Sequence, residues 1–422
     1  MPVPFQLILL CVIAFLAVAA RAEDFQGSTQ RLPYDDPPIR YSDTAGDGPV
    51  AKLQAKIDRG DVRFKFDAEH GYLPSLLEAL DVPSSSQLLV FSKTSLQRTH
   101  ISPKNPRAIY FNDDVYIGYI PGAPRVEVSA VDPRLGGMFY ALEQTAAYKP
   151  QFVRTADCLQ CHGGNRSLGV PGHVVRSIGT DTLGELDSQT EVSEISHCTP
   201  LADRWAGWFV TGKHGAQRHR GNLIGPDAFQ QAAREPGFLA NLTDLAPLVE
   251  MRRYPAPGSD IVAHLVLDHQ LHMHNYITRL NFETQIMMST YGHIRYLGRQ
   301  VDAFLRYLLF TEEAPLTETV SGDPQFVRDF TSHAFRDKQG RSLRDFDLQT
   351  RLFKYPCSFI IYSDAFDALP GIMKDHVYKR LWEILNGRDA NPDFARLSAA
   401  DRQAIREILV ATKTGLPDYW RG

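Results

Sequence analysis

Two cysteines two residues apart, with a histidine directly after the second, place the tightest constraint on this chain: Cys158-Leu159-Gln160-Cys161-His162. The spacing brings two thiols and an imidazole onto one short turn. It is the pattern of covalent haem attachment, in which each thiol forms a thioether to a haem vinyl group and the histidine binds the iron as proximal ligand. Cys158 and Cys161 are therefore the expected thioether residues and His162 the expected iron ligand. The expected cofactor is one covalent haem c. A thioredoxin-like C-x-x-C is the first rival, but it does not demand the histidine. A zinc site would want a second C-x-x-C or an H-x-x-H at short range, and the sequence has neither there. A haem-free scaffold using the pair as a disulfide leaves His162 unexplained. With one such motif, a relay through several covalent haems is excluded.

Haem of this kind is attached after export, and the N-terminus reads as an export signal. Residues 5–20 (FQLILLCVIAFLAVAA) form an almost unbroken apolar run. The run is shorter than the ~20 residues of a comfortable membrane span. Ala20-Arg21-Ala22 supplies the small-x-small pattern of a cleavage site, although no Lys or Arg precedes the run. The expectation is a signal peptide over residues 1–22, with a signal anchor as its rival, and a periplasmic or otherwise exported mature protein. Cys11 lies in the run and would leave with it. No second apolar stretch of spanning length follows, so no membrane span is expected in the mature chain. A net charge of −4 over 422 residues offers no basic excess for nucleic acid or an anionic membrane.

Three further regions are expected: an N-terminal α/β region over 23–150, a haem-attachment region over 151–230 and a helical region over 231–422. Short helices are expected at 51–58 and 73–80, the second opened by Pro74. Leu88-Leu89-Val90-Phe91, Ala108-Ile109-Tyr110-Phe111, Val115-Tyr116-Ile117-Gly118-Tyr119 and Val126-Glu127-Val128-Ser129-Ala130 read as short strands, punctuated by Asn112-Asp113-Asp114 and Pro121-Gly122. Gly136-Gly137-Met138-Phe139-Tyr140 then leads toward the motif. Residues 259–310 contain no proline and read as long helix, interrupted near Gly292 or Gly298. Further helices are expected at 373–385 and 398–412, with Ser398 as N-cap. The fold class is thus α+β, mainly helical: a small antiparallel sheet in the N-terminal half and a helical C-terminal half packed around one c-type haem.

Gly163-Gly164 follows the motif and allows close backbone approach to a flat cofactor. Arg154, Arg166 and Arg176 are candidate partners for haem propionates, with ordinary surface charge as the alternative. The segment from Arg204 to Val210, rich in Trp and Phe, is expected to be core against the haem face. Cys198 and Cys357 are candidates for one disulfide in an oxidising compartment, or for free thiols or an axial thiolate.

The second face of the iron decides between electron transfer and catalysis, because strong ligands on both faces favour outer-sphere transfer. The 14 histidines and 7 methionines offer many candidates. On the expected helix at 259–280, Val262, Leu265, Val266, His269, Met273, Tyr276 and Leu280 share one apolar stripe, with His264, Asp268 and Asn275 on the other face. His269 is thus a core-facing imidazole, and a hydrogen-bonded core histidine is its plain alternative. His173, His214 and His219 lie in Gly-rich loops nearer the motif. His269 and His214 are ranked together as candidate distal ligands.

Phe91-Ser92-Lys93-Thr94-Ser95-Leu96-Gln97, residues 108–119, the C-x-x-C-H at 158–162, residues 204–214 and Leu352-Phe353-Lys354-Tyr355-Pro356-Cys357 resemble a group of uncharacterised bacterial exported proteins with a monohaem cytochrome c domain. The resemblance covers most of the mature chain and implies a monohaem cytochrome, without an activity. The chain departs from small soluble cytochromes c, whose motif lies in the first helix and whose Met ligand follows some tens of residues later. Here the motif starts at residue 158 and the next methionine is Met251, which disfavours simple Met ligation. The helix at 397–401 faintly resembles the last helix of that fold. The leading expectation is single-electron transfer with a redox partner protein. The alternative is a haem enzyme (a haem-dependent oxidoreductase) or sensor whose open distal face takes a small-molecule ligand such as peroxide or nitric oxide.

Overall fold

Alternating apolar residues broken by Asn, Asp and Gly make a meander here. A computed structural model describes residues 30–187 and 192–421; the expected signal peptide, residues 1–22, lies outside them. Six strands, β1 (Leu88–Val90), β2 (Arg107–Phe111), β3 (Val115–Tyr119), β4 (Arg125–Asp132), β5 (Gly136–Glu143) and β6 (Phe152–Arg154), pair antiparallel in sequence order. Side chains close the turns. Asn112 Oδ1 accepts from the N–H groups of Asp114 and Val115 between β2 and β3, and Asp132 Oδ1 does so for Arg134 and Leu135 between β4 and β5. The fold is α+β, with the sheet in the N-terminal half.

The register sorts the side chains into two faces. Phe111, Tyr116, Ser129 and Phe139 stand in one cross-strand row, and Ile109, Gly118, Glu127 and Ala141 in the next row on the same face. The opposite face (Tyr110, Ile117, Val128, Tyr140) packs with helices α1 (Pro49–Arg59) and α2 (Leu73–Ala79) in one apolar core. The first face joins a second core built with the C-terminal helices. Its Ile109–Gly118–Glu127 row has a single charged side chain and a glycine, and it lines a cavity.

In chain order the remaining helices are α3 (Leu159–His162), α4 (Gly225–Arg234), α5 (Ile261–Tyr291), α6 (Gly298–Leu308), α7 (Pro324–Ser332), α8 (Asp364–Asp367), α9 (Gly371–Leu385) and α10 (Ala399–Thr412). Asp260 caps α5 by accepting from Ala263 N at 2.9 Å, and Gly292, at φ 70°, ends it in the left-handed conformation. The interruption expected near Gly292 or Gly298 is thus a stop and a restart. Ser398 caps α10 through Asp401 N at 3.0 Å, as its sequence implies. β5 and β6 fell outside the expected strands, since paired glycines open one and the other spans only 3 residues.

The face of α5 carrying His264, Asp268 and Asn275 is buried as deeply as the apolar stripe. Its polar groups are pinned instead of solvated: Asp268 receives Arg204 Nη1 at 3.2 Å and Trp205 Nε1 at 3.0 Å, and His264 Nε2 meets the Phe209 carbonyl at 3.0 Å. Buried polar groups that find partners need no water. Cys198 and Cys357 are free, not bridged. Among the described residues no helix is long and apolar enough to cross a membrane.

Burial pushes His219 and His264 down to about 3 and His272 and His274 down to about 4. The unfolded chain, with histidines near ~6.5, takes up protons that the native state refuses, so this contribution is full above pH ~6.5 and is lost on acidification. Buried Asp260 and Asp268, raised to about 6, and Asp114 and Glu313, raised to about 7, act in the opposite sense. The histidines, joined by His197 and His269, which burial also lowers, outnumber them. The melting temperature should therefore fall between pH ~6.5 and ~4.5. A circular-dichroism melt series with a flat or rising trend would show that these rings are not held neutral.

Candidate functional site

Beyond β6 the chain leaves the sheet at Thr155, whose N–H donates to Phe139 O at 3.1 Å, and winds into a single helical turn. Cys161 N and His162 N both donate to Cys158 O, at 3.1 and 2.9 Å. Positions i, i+3 and i+4 share a helix face, so this turn presents Cys158, Cys161 and His162 together. All three line one cavity of about 580 Å³, within the range of cofactor pockets. A Cβ on Gly163 would collide with the Tyr34 hydroxyl, which donates to Gly163 O at 3.1 Å; glycine is needed there for close approach.

The next residues fold back over the turn. Gly172 N donates to His162 O at 2.8 Å, and the His162 ring meets the Gly172 carbonyl through Nδ1 at 3.0 Å. A carbonyl only accepts, so His162 Nδ1 carries the proton and Nε2 carries the lone pair. Nε2 has no protein partner among the described residues. Burial pushes the ring down to about 4, against the raising effect of the Gly172 carbonyl, so it is neutral at pH ~7 and able to bind a metal. The Cys158 thiol is pushed up to about 11, chiefly by burial, with Glu127 and Asp157 adding to it. Redox C-x-x-C pairs depend on a depressed thiol, and this environment does the reverse.

The Ile109, Gly118 and Glu127 row of the sheet lines the cavity. Gly118 leaves it open, while Glu127 is held by Ser95 Oγ, by Arg107 Nη1 at 3.0 Å and by Gln97 Nε2 at 3.3 Å. Trp208, Leu267 and Leu271 supply apolar walls, and Trp208 Nε1 donates to Arg176 O at 2.9 Å. The segment 204–210 thus contributes wall at Trp208 and deep core at Trp205.

Arg166 and Arg176 face this cavity, joined by Arg98 and Arg107. Arg166 pairs with Glu194 at 2.9 Å. Burial, with Arg166 nearby, lowers the pKa of Arg176, whose guanidinium makes no ion pair within 4 Å among the described residues. Arg154 lies elsewhere, donating to the Thr44 and Tyr41 carbonyls at 2.8 and 2.7 Å and covering the Tyr41 ring.

The structure does not bring the two ranked distal histidines to the motif. His269 is locked in the core, its Nδ1 2.8 Å from His197 Nδ1 and its Nε2 2.7 Å from Ser358 Oγ. His214 meets Gln217 O through Nδ1 at 2.8 Å and accepts from Asn241 N through Nε2 at 3.1 Å. Both nitrogens of each ring are engaged, and neither residue lines the cavity. His173 does line it. Its peptide is clamped by Asn275, which accepts from His173 N at 2.9 Å and donates to His173 O at 2.7 Å. Arg107, Glu127 and Ser129 also went unread as site residues. Their signal was available: polar residues at alternate positions, on the strand face that should be core, mark a cavity.

Among the described residues no group of three His, Cys, Asp or Glu side chains is placed to hold a bare metal ion. No family model, curated protein or solved structure matches the chain.

A Cβ on Gly172 would strike the Asn275 carboxamide oxygen, whereas one on Gly164 meets nothing within 4 Å. Gly172→Ala should therefore cost about 2 kcal/mol or more, and Gly164→Ala should stay within about 0.5 kcal/mol. Urea unfolding of the two variants checks this; equal midpoints would show that the 162–173 loop is not held as described.

Proposed function

We propose that this chain is an exported monohaem c-type cytochrome that exchanges single electrons with a redox partner protein, and that it belongs with the exported monohaem cytochromes its motifs resemble. The observation that carries the reading is the His162 Nδ1 contact to Gly172 O, which turns a free Nε2 to the cavity that both cysteines line. The residues fit the group. A haem brings four equatorial nitrogens of its own, so the chain has to supply only axial ligands and anchors.

Cys158 and Cys161 would hold the macrocycle. Each S–H adds across a vinyl double bond, the sulfur forming the S–C bond and the hydrogen passing to the other vinyl carbon, so no oxidant is consumed. His162 Nε2 would take the iron, its basicity sustained by the Gly172 carbonyl. When bound, the haem supplies an iron centre that changes oxidation state by one electron. Arg107, Arg166 and Arg176 would meet the propionates, since guanidinium forks suit carboxylates. Leu267, Leu271 and Trp208 would keep water from the macrocycle and so tune its potential. Residues 1–22 would direct the chain to the periplasm, where such attachment occurs.

Expressed in a host that matures c-type haem, the wild type should be coloured, carry the mass of one haem on the denatured chain and begin at Glu23. Cys158→Ser with Cys161→Ser should lose covalent haem. Colourless wild-type protein of bare polypeptide mass would sink the proposal. Holoprotein that turns over peroxide or senses nitric oxide, without exchanging electrons with redox proteins, would favour the haem enzyme or sensor.

A further inference from the structure

We propose that His173 is the second axial ligand of the iron, which closes the distal face and makes the site an electron carrier; this rests on the haem reading above. His173 is 5% exposed and lines the same cavity as His162. Its Nε2 lies 3.0 Å from Ser129 Oγ, while its Nδ1 is buried with no partner. A buried ring nitrogen without a partner costs free energy unless something binds it. The Ser129 hydroxyl accepts as readily as it donates, so Nε2 can donate to it and leave the lone pair on Nδ1. The two histidines are thus prepared alike, each with one nitrogen engaged by the protein and one left over.

The distance agrees. The ring centroids of His162 and His173 are 6.5 Å apart. Two imidazoles on opposite sides of one metal, at bonds of about 2 Å, put their centroids roughly 6 Å apart. Phe139 packs on both rings, at 5.0 and 5.5 Å, and would have to turn aside to admit a macrocycle. One loop holds both ligands: Gly172 orients His162 through its carbonyl, and the following residue is His173 itself, clamped by Asn275 of α5.

Three other candidates on the lining are engaged. Lys93 is paired with Glu185 at 2.9 Å, Glu127 is held by three donors, and the Tyr116 hydroxyl accepts from Gln270 Nε2 at 2.8 Å. No methionine lines the cavity among the described residues.

Optical and electron paramagnetic resonance spectra of the holoprotein test this. Wild type should be low-spin in both oxidation states, and its ferrous form should ignore carbon monoxide. His173→Ala should keep the covalent haem mass but become high-spin and bind carbon monoxide, and added imidazole should restore the low-spin spectrum. His173→Met, which preserves buried volume, serves if the alanine variant does not fold, and should change the axial signature while staying haem-loaded. A high-spin wild type, or low-spin spectra unchanged in the variants, overturns the ligand assignment and leaves the haem reading standing. Wild type without covalent haem overturns both.

Discussion

The site depends on one carbonyl. Gly172 O accepts a hydrogen bond from Nδ1–H of His162, and that contact decides which nitrogen keeps its lone pair free. A free imidazole presents either tautomer; one pinned by a carbonyl presents only a lone pair at Nε2. The carbonyl is held in turn by the return of Gly172 N to His162 O and by Asn275 on both sides of His173. A glycine at 172 is required because a side chain would fill the space Asn275 occupies.

Asn275 brings the central helix into the site. A 31-residue helix buried on nearly every side would ordinarily be apolar all round, but α5 carries Asp268, Gln270, His274 and Asn275 inside the protein. Each reaches a loop or strand. Gln270 and His274 bind carbonyls of the β2–β3 turn at 2.8 Å, Asp268 fixes Arg204 and Trp205, and Asn275 fixes His173. The buried polar face aligns the sheet, the Arg204–Val210 wall and the 162–173 loop around one axis. Such a network specifies a unique arrangement because each unmatched partner would be costly. The depressed histidines and raised carboxyls of the core have the same cause, burial.

Much of this was readable from residues in order. The β2–β4 runs, the stop at Gly292, the Ser398 cap and the clustering of Cys158, Cys161 and His162 all rest on local rules of periodicity, capping and helical spacing. Reading failed where partners come from far along the chain. The wheel of α5 separated an apolar stripe from a polar one, but whether the polar side meets solvent or protein depends on what packs there. His269 looked suited to iron because it lay on the apolar stripe; it packs against His197 and Ser358 instead. His173, in a Pro-Gly-His loop with no periodicity to judge, ranked lower, yet it shares the cavity with His162.

By itself, then, the sequence determined the turn that carries Cys158, Cys161 and His162 and the kinds of element that would form, because each follows from residues within a few positions of one another. Only the tertiary structure decided which imidazole stands beside the motif, which arginines face the cavity and where the sheet stays unfilled. Those outcomes depend on strand register and on loops carried over the sheet by α5. Contacts between residues about a hundred positions apart, such as His173 and Asn275, leave no mark in local spacing.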